Sequence, residues 1–508
     1  MRSNHLIVAW LVMAVSGVSL GAQSRAVPLI EAVKKGDMAT VRRLATKGPV
    51  DAAEVDGTTA MHWAAYGEHL ESVDVLLRAG ASAKSANRYG VTPLSLAALK
   101  GSAGIIERLL AAGADPNVTV EGGETPLMSA ARAGRVDAVT ALLARGADVH
   151  ARESTRGQNA LMWAAAEGHA PVIGVLAAAG ADVNGRAASP AAVTKGKAQA
   201  GTAGPNMGAP LGRIDELTPL LFAARRGHAE AVTALLDAGA RINDTAVDGS
   251  GPAALAAANA YYDLALSLLD KGADPKAASR GWTLLHQVAR TRTPHVRRLP
   301  PPYGYDADAS LTLVRKLIEG GVDVNARMTA DVNDGYRHFE RRVGATPFYL
   351  AAKSGDLKMM RLLLDRGADP GLATNAGDTP LIGLSGLSLG APGEDGLTDA
   401  QTVEAAALML GDRRTDVNAV NKDGFAALHG AAYRGAVGLV QLLVDKGARL
   451  DLRTRTGFTP WTIATGWAPD NHAYEQPAAE ALIRKLMDER GIPVTGPRGV
   501  ELQTKLQK

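Results

Sequence analysis

The chain has 508 residues, enough for several ordinary domains or for one long array of a repeated unit. Hydrophobic residues at 46% and charged residues at 21% exclude a disordered tail, while aromatics at 4% leave Ala, Leu and Gly to do the packing, which favours thin helices set close together. Cysteine is absent, excluding disulfides, thiolate nucleophiles and Cys-based metal sites, and a formal net charge of +3 means that any strongly basic surface is local.

In chain order, the first element is an apolar run from Leu6 to Val15, preceded by Arg2 and His5 and followed by Ser16, Gly17, Ser19 and Gly21-Ala22-Gln23. A basic start, a short apolar stretch and small residues before a polar one read as a secretory signal over residues 1–22, cleaved after Ala22. The expected location is therefore exported, periplasmic or secreted. The alternative is an uncleaved N-terminal segment that anchors the chain in a membrane, for which the run is short and interrupted. No later segment has the length and apolarity of a membrane span.

From about residue 26 onward one phrase recurs. Gly90-Val-Thr-Pro-Leu-Ser-Leu-Ala-Ala and Gly123-Glu-Thr-Pro-Leu-Met-Ser-Ala-Ala are two copies, and the leading glycine falls at 57, 90 and 123, each 33 residues after the last. It slips by one to Gly157 and returns at 249, 281, 344, 377, 424 and 457. A second phrase, Gly-Ala-Asp or close to it, keeps step at 80, 113, 146, 180, 239, 272, 367 and 447. Thr92-Pro93, Thr125-Pro126, Thr218-Pro219, Thr346-Pro347, Thr379-Pro380 and Thr459-Pro460 each place a capping hydroxyl before a proline suited to a first helical turn. Leu and Ala-Ala then predict a short helix. A second amphipathic helix follows, as at Val136, Val139, Leu142 and Leu143, with Gly146 as its stop. Such a unit cannot bury its apolar face alone, whereas stacked units can.

A 33-residue period carrying these phrases resembles the ankyrin-repeat family over roughly residues 26–490. The resemblance implies an all-α solenoid of about twelve helix–turn–helix units with short β-hairpin fingers. Units one to five would occupy 26–184 and units six to twelve 214–490, separated by an Ala/Gly/Pro-rich flexible insertion at 185–213. Further insertions at 291–309, 328–343 and 385–399 interrupt the period, and 491–508 reads as a loose polar tail.

Two motif matches fail on context. Gly386-Leu-Ser388-Leu-Gly390 has the spacing of a hydrolase nucleophile elbow, but a repeat's first helix precedes it where a strand is required. Asp331-Val-Asn333-Asp-Gly335 has its glycine misplaced for a calcium loop and lacks the closing Glu. The eleven His residues show no metal spacing. His62, His286 and His429 share one repeat position, where the family resemblance implies hydrogen bonds that tie neighbouring turns together. Trp63, one place later, is expected to pack between units. No cofactor, metal or catalytic residue is therefore expected.

The resemblance further implies that partner contacts come from the finger tips and the ends of the first helices, on the concave face. The helix ends supply Tyr66, Lys100, Arg132, Arg225, Arg226, Arg290, Lys353, Tyr433, Arg434 and Trp467. The fingers add Arg88, Tyr89, Arg156, Arg280, Trp282, Lys422 and Arg455. Basic residues predominate at the helix ends, so the expected function is a non-enzymatic scaffold for a protein partner with an acidic surface, without nucleic acid or small-molecule cofactor. Lys and Arg near helix C-termini also simply complement the helix dipole, and both readings stand for any single residue. Two functional alternatives stay open: an enzyme-accessory protein acting through its inserted loops, and an envelope-associated binder of polyanionic material.

Overall fold

The computed structural model describes residues 27–187, 216–277, 281–292, 307–330, 342–387, 392–393, 395–467 and 474–506, as two compact bodies that meet in sequence at Glu153 and Ser154. The leader, most of the 185–213 insertion, Arg280, Ser388 and the Asp331–Gly335 match lie outside the described residues. The described chain is helical throughout. Regular strand pairing among the described residues is limited to two isolated bridges, Ala53 with Thr59 and Thr465 with Glu475.

Helices come in antiparallel pairs, odd-numbered first and even-numbered second. The first body holds α1 (Pro28–Lys34) and α2 (Met38–Ala45), α3 (Ala60–Tyr66) and α4 (Leu70–Arg78), α5 (Pro93–Lys100) and α6 (Ala103–Ala111), α7 (Pro126–Arg132) and α8 (Val136–Leu143). The second opens with α9 (Ala160–Glu167) and α10 (Ala170–Ala178), α11 (Pro219–Arg226) and α12 (Ala229–Asp237), α13 (Pro252–Ala258) and α14 (Tyr262–Asp270), α15 (Leu284–Arg292) and α16 (Ala307–Glu319). It continues through α17 (Pro347–Lys353) and α18 (Leu357–Asp365), α19 (Pro380–Ser385) and α20 (Asp399–Leu410), α21 (Ala427–Arg434) and α22 (Val437–Asp445), α23 (Pro460–Ala464) and α24 (Pro477–Glu489), and closes with an unpaired α25 (Gly499–Leu506).

The first helices begin as the capping phrase dictates. The hydroxyl of Thr92 accepts the amide of Ser95 at 3.2 Å, Thr346 that of Tyr349 at 3.1 Å and Thr459 that of Thr462 at 3.2 Å, with proline in the first turn each time. Paired alanines such as Ala97–Ala98 and Ala223–Ala224 are fully buried, and their small size lets consecutive first helices approach closely. Gly227 ends α11 at φ +78°, and a Cβ there would lie 2.6 Å from the ring of Tyr261 in the next unit. Equivalent glycine slots are filled by Arg135 at Gly101, His228 at Gly168, Leu397 at Gly355, Arg434 at Gly386 and Gln476 at Gly435.

Two polar clamps repeat between units. In the first, Nε2 of the capping histidine bonds a carbonyl of the following finger: His62 to Val91 at 3.0 Å, His286 to Ala345 at 3.1 Å and His429 to Phe458 at 3.3 Å. Nδ1 meanwhile accepts the amide of Thr59, Thr283 or Ala426, so the neutral ring is held as the Nε2–H tautomer. In the second clamp, an asparagine side chain donates to the glycine carbonyl of the next second-helix stop and accepts an amide two residues beyond. Asn117 does this with Gly146 and Asp148 at 3.0 and 2.7 Å, and Asn418 with Gly447 and Arg449 at 2.9 and 2.9 Å. Asn184, Asn243 and Asn325 repeat the geometry.

The described residues after Arg490 include a docked segment where a loose tail is expected. The amide of Gly499 donates to the Thr465 hydroxyl at 2.7 Å, that of Val500 to the Thr465 carbonyl at 3.0 Å, and Arg498 pairs with Glu480 at 3.1 Å. Helix α25 packs on α23. The polar composition of the tail concealed this because the docking is carried by hydrogen bonds and a glycine rather than by an apolar stripe.

Candidate binding surface

Each finger is a tight hairpin closed by two backbone bonds, as at Glu54 N–H to Thr58 O and Gly57 N–H to Glu54 O, both 2.9 Å, with Gly57 at φ +87°. Adjacent fingers are joined by a further bond, which fixes the register of the side chains they display. Arg88 N–H bonds Asp56 O at 2.8 Å, Lys422 N–H bonds Ala376 O at 2.9 Å and Arg455 N–H bonds Asp423 O at 2.9 Å. The side chains of Arg88, Tyr89, Lys422 and Arg455 are accordingly exposed. Val55, Tyr89 and Val247 are the large apolar side chains most open to solvent at finger positions, at 78%, 52% and 67% exposure.

In the first body the helix-end cations already have partners. Lys34 Nζ sits 4.3 Å from the Trp63 ring centre and 2.7 Å from Glu54, which also accepts the Trp63 indole N–H at 2.8 Å. Burial alone would depress the Lys34 ammonium, but hydrogen bonds and charge from Glu54 and Glu31 raise its pKa above the ordinary value. Lys100 lies 4.3 Å over the Tyr66 ring, Tyr66 meets Trp63 edge to face at 6.1 Å, and Arg132 pairs with Glu124 at 3.1 Å. Trp63 thus belongs to the helix-end surface, held under a lysine, and does not serve simply as packing between units. Its carboxylate partner, nine residues earlier in a finger, was the sequence signal for this.

In the second body the predicted residues divide. Arg156, Arg225 and Arg226 are exposed, Arg290 and Lys353 are half-buried, and Trp467 is half-buried against Phe458 at 4.9 Å and Phe425 at 5.8 Å. Arg225 is open to solvent by surface area yet many protein atoms surround its guanidinium. Burial, then the like charges of Arg226 and Arg156, hold its pKa below the ordinary arginine value, with Asp248 opposing them.

Three predicted contact residues are buried and must be corrected. Trp282, 2% exposed, donates its indole N–H to Ala330 O at 3.1 Å, and the guanidiniums of Arg290 and Arg342 lie 5.9 and 5.4 Å from its ring centre. Tyr433, 1% exposed, meets Tyr474 edge to face at 6.2 Å. Arg434, 9% exposed, donates through Nη1 to Asp395 at 2.8 Å and bonds the Ser385 carbonyl at 3.3 Å. In each case an insertion or the closing segment of an adjoining unit covers the position that the repeat pattern leaves open.

The insertion roots carry a second buried ion pair. Arg292, at the end of α15, donates through Nε to Asp356 at 2.7 Å and through Nη2 at 3.2 Å, with Ala307 O and Ser310 also bonded. Asp356 at the same time caps α18 by accepting the Met359 amide at 3.1 Å. Near the rejected hydrolase motif, α19 precedes Gly386, so the structural context is helix then αL turn with no preceding strand. Among the described residues, no three His, Asp or Glu side chains converge as for a metal ion, and no helix is long and apolar enough to cross a membrane.

Stacked helix pairs, glycine-closed fingers and clamps repeated from unit to unit define a repeat protein of the helix–turn–helix solenoid class. Comparison with known proteins supports a narrower statement. The family model for ankyrin repeats in three copies matches residues 1–87, 29–120, 94–187 and 197–279, and that for the single ankyrin repeat matches 343–375 and 423–455. The chain belongs to the ankyrin-repeat family. It is 28% identical over 261 residues to human ankyrin repeat and SOCS box protein 16, covering 48% of this chain and 53% of that protein. With ankyrin repeat and SOCS box protein 3 of Bos taurus it shares 33% identity over 211 residues, covering 41% and 33%. The crystal structure of the human ASB11 ankyrin repeat domain aligns with a TM-score of 0.39 at 23% identity, over 48% of this chain and 98% of that one. The chain spans about half the length, or less, of these curated relatives.

Proposed function

We propose that this protein is an exported, non-enzymatic scaffold that holds a protein partner with an acidic surface against its finger tips and first-helix ends. Ankyrin repeats are protein-interaction modules, and the observation that carries the acidic preference is the clustering of exposed arginines at the end of α11, where Arg225 and Arg226 stand beside Arg156. A stiff array of this kind presents its surface already formed, so little ordering entropy opposes association. The export reading rests on the composition of residues 1–22, which fits a secretory leader.

The test uses the chain lacking residues 1–22 as bait on the exported fraction, with captured proteins identified by mass spectrometry. Reversing Arg225, Arg226 and Lys353 together is expected to abolish capture of the selected partner. Reversing Arg108 and Lys358, which lie exposed on second helices, is expected to leave it intact. Equal capture by both variants counts against the helix-end surface. A second reading places the contacts in the insertions, as an enzyme-accessory protein would. It is favoured by the buried pairs Arg292–Asp356 and Arg434–Asp395, which fix the roots of two inserted loops. Loss of capture on shortening those loops, with the helix ends untouched, would select it.

A further inference from the structure

The cations of the interaction surface are not equivalent, and the difference narrows where an acidic partner takes hold. Lys34, Lys100 and Arg132 in the first body are each engaged by an aromatic ring or a carboxylate of their own chain. In the second body Arg434 is sealed in an ion pair and Arg290 lies against Trp282. Arg225 and Arg226 differ, as do Lys422 and Arg455 on separate fingers, but Arg225 and Arg226 are adjacent on one helix. Both occupy the last turn of α11, both are exposed, and among the described residues neither guanidinium has an ion-pair or hydrogen-bond partner.

Neither side chain caps α11: among the described residues no hydrogen bond from either guanidinium reaches a closing carbonyl, and the carbonyls of Ala224 and Ala223 are taken by Gly227 N–H at 3.2 Å and His228 N–H at 3.0 Å. Nor does Arg225 answer a neighbouring acid cluster: among the described residues Asp248 is the carboxylate it feels, against the two like charges of Arg226 and Arg156. Two free guanidiniums with a third close by are costly to hold together in the unbound protein, and that repulsion is relieved when carboxylates arrive. Each guanidinium presents a planar fork that a carboxylate engages through two parallel hydrogen bonds. Beside Asp248 stands Val247, 67% exposed, an apolar contact point at the edge of the cluster.

We propose that Arg225 and Arg226, flanked by Arg156 and Val247, form the anchor for a Glu/Asp-rich peptide segment of the partner that carries an apolar side chain next to its carboxylates. The proposal rests on the scaffold reading above and names where within it the binding energy is concentrated. The first-body cations, engaged internally, then contribute shape more than charge.

The test is direct titration of the full chain with a fluorescein-labelled synthetic Glu-rich peptide carrying one Leu, followed by anisotropy at low and at physiological salt. R225E/R226E is expected to weaken binding about tenfold or more and to flatten its salt dependence, with R225Q/R226Q intermediate. K34E/K100E is expected to change it less than about twofold, and Val247→Ser to weaken only the Leu-bearing peptide. Far-UV circular dichroism melts check that each variant is folded. Equal losses in the K34E/K100E and R225E/R226E variants would show a diffuse basic attraction and overturn the anchor. Tighter binding of inorganic polyphosphate than of the peptide, indifferent to the Leu, would overturn the peptide assignment in favour of a polyanion. If the peptide fails to bind wild type while the capture experiment still depends on the helix ends, the anchor is wrong and the scaffold reading survives.

Discussion

His286 and His429 are almost fully enclosed, and burial pushes both down to about 4 from an ordinary value of 6.5, against the opposing pull of the carbonyls they bond. His62 is shifted in the same direction for the same reason. In the unfolded chain each ring takes up a proton near pH 6.5, while in the native protein the rings of His286 and His429 stay neutral until about pH 4. Stability therefore holds above pH 6.5 and is lost as pH falls from there toward 4, by roughly 3 kcal/mol for each fully shifted ring. Thermal melts across this window are expected to show a falling midpoint, and His286→Asn is expected to shrink the fall, at a lower stability throughout. Arg292 and Asp356 make a different demand. Both are more than nine-tenths buried, so Asp356→Ala strands a guanidinium and removes the cap of α18; chemical denaturation should report a loss of about 3–5 kcal/mol. The histidine clamp was legible because its residue type recurs in step with the capping phrase. The asparagine clamp recurs just as regularly, two residues after the aspartate position at Asn117, Asn184 and Asn325, yet residue type alone does not reveal it, because a polar residue in a turn has many ordinary roles.

For the helices the capping phrase predicted starts well, since Thr-Pro acts locally and needs no tertiary help. It predicted exposure poorly. Tyr433 and Arg434 follow the same Ala-Ala phrase as Arg225 and Arg226 but are buried, because Asp395 from one neighbouring unit and Tyr474 from the next close over them. Those closing residues lie in irregular segments whose path no periodicity reveals. Helix α25 shows the same limit, since a polar sequence docks through Gly499, Thr465 and Arg498. A Cβ at Gly499 would overlap the Thr462 carbonyl and the Trp467 amide. Gly499→Ala is therefore expected to undock α25 at a cost of about 1–3 kcal/mol, with faster hydrogen exchange confined to α23 and its flanks. Unchanged exchange over residues 461–467 would mean that the closing helix is not held as described.

For the whole molecule, a charge of +3 over 508 residues is close to balance, so the cluster of Arg225, Arg226 and Arg156 is a local feature. Among the described residues most ion pairs lie at the surface, as between Arg108 and Asp74, with both side chains a third or more exposed, and such pairs add little to stability. Raising ionic strength from about 50 to about 500 mM is therefore expected to weaken partner binding severalfold while moving the thermal midpoint by only a few degrees. Parallel losses of both would place the electrostatics in the fold instead of at the interface.

The glycine slots have a consequence for how such a chain changes length over generations. A slot formed by a residue without a side chain carries no shape code, and arginine, histidine, tyrosine, leucine and glutamine all fill it here. At this one contact, then, the incoming unit is not held to a particular residue. A duplicated stretch of gene finds a neighbour that already accepts it there, and the array can lengthen, shorten or shuffle its members without a second compensating change at the slot.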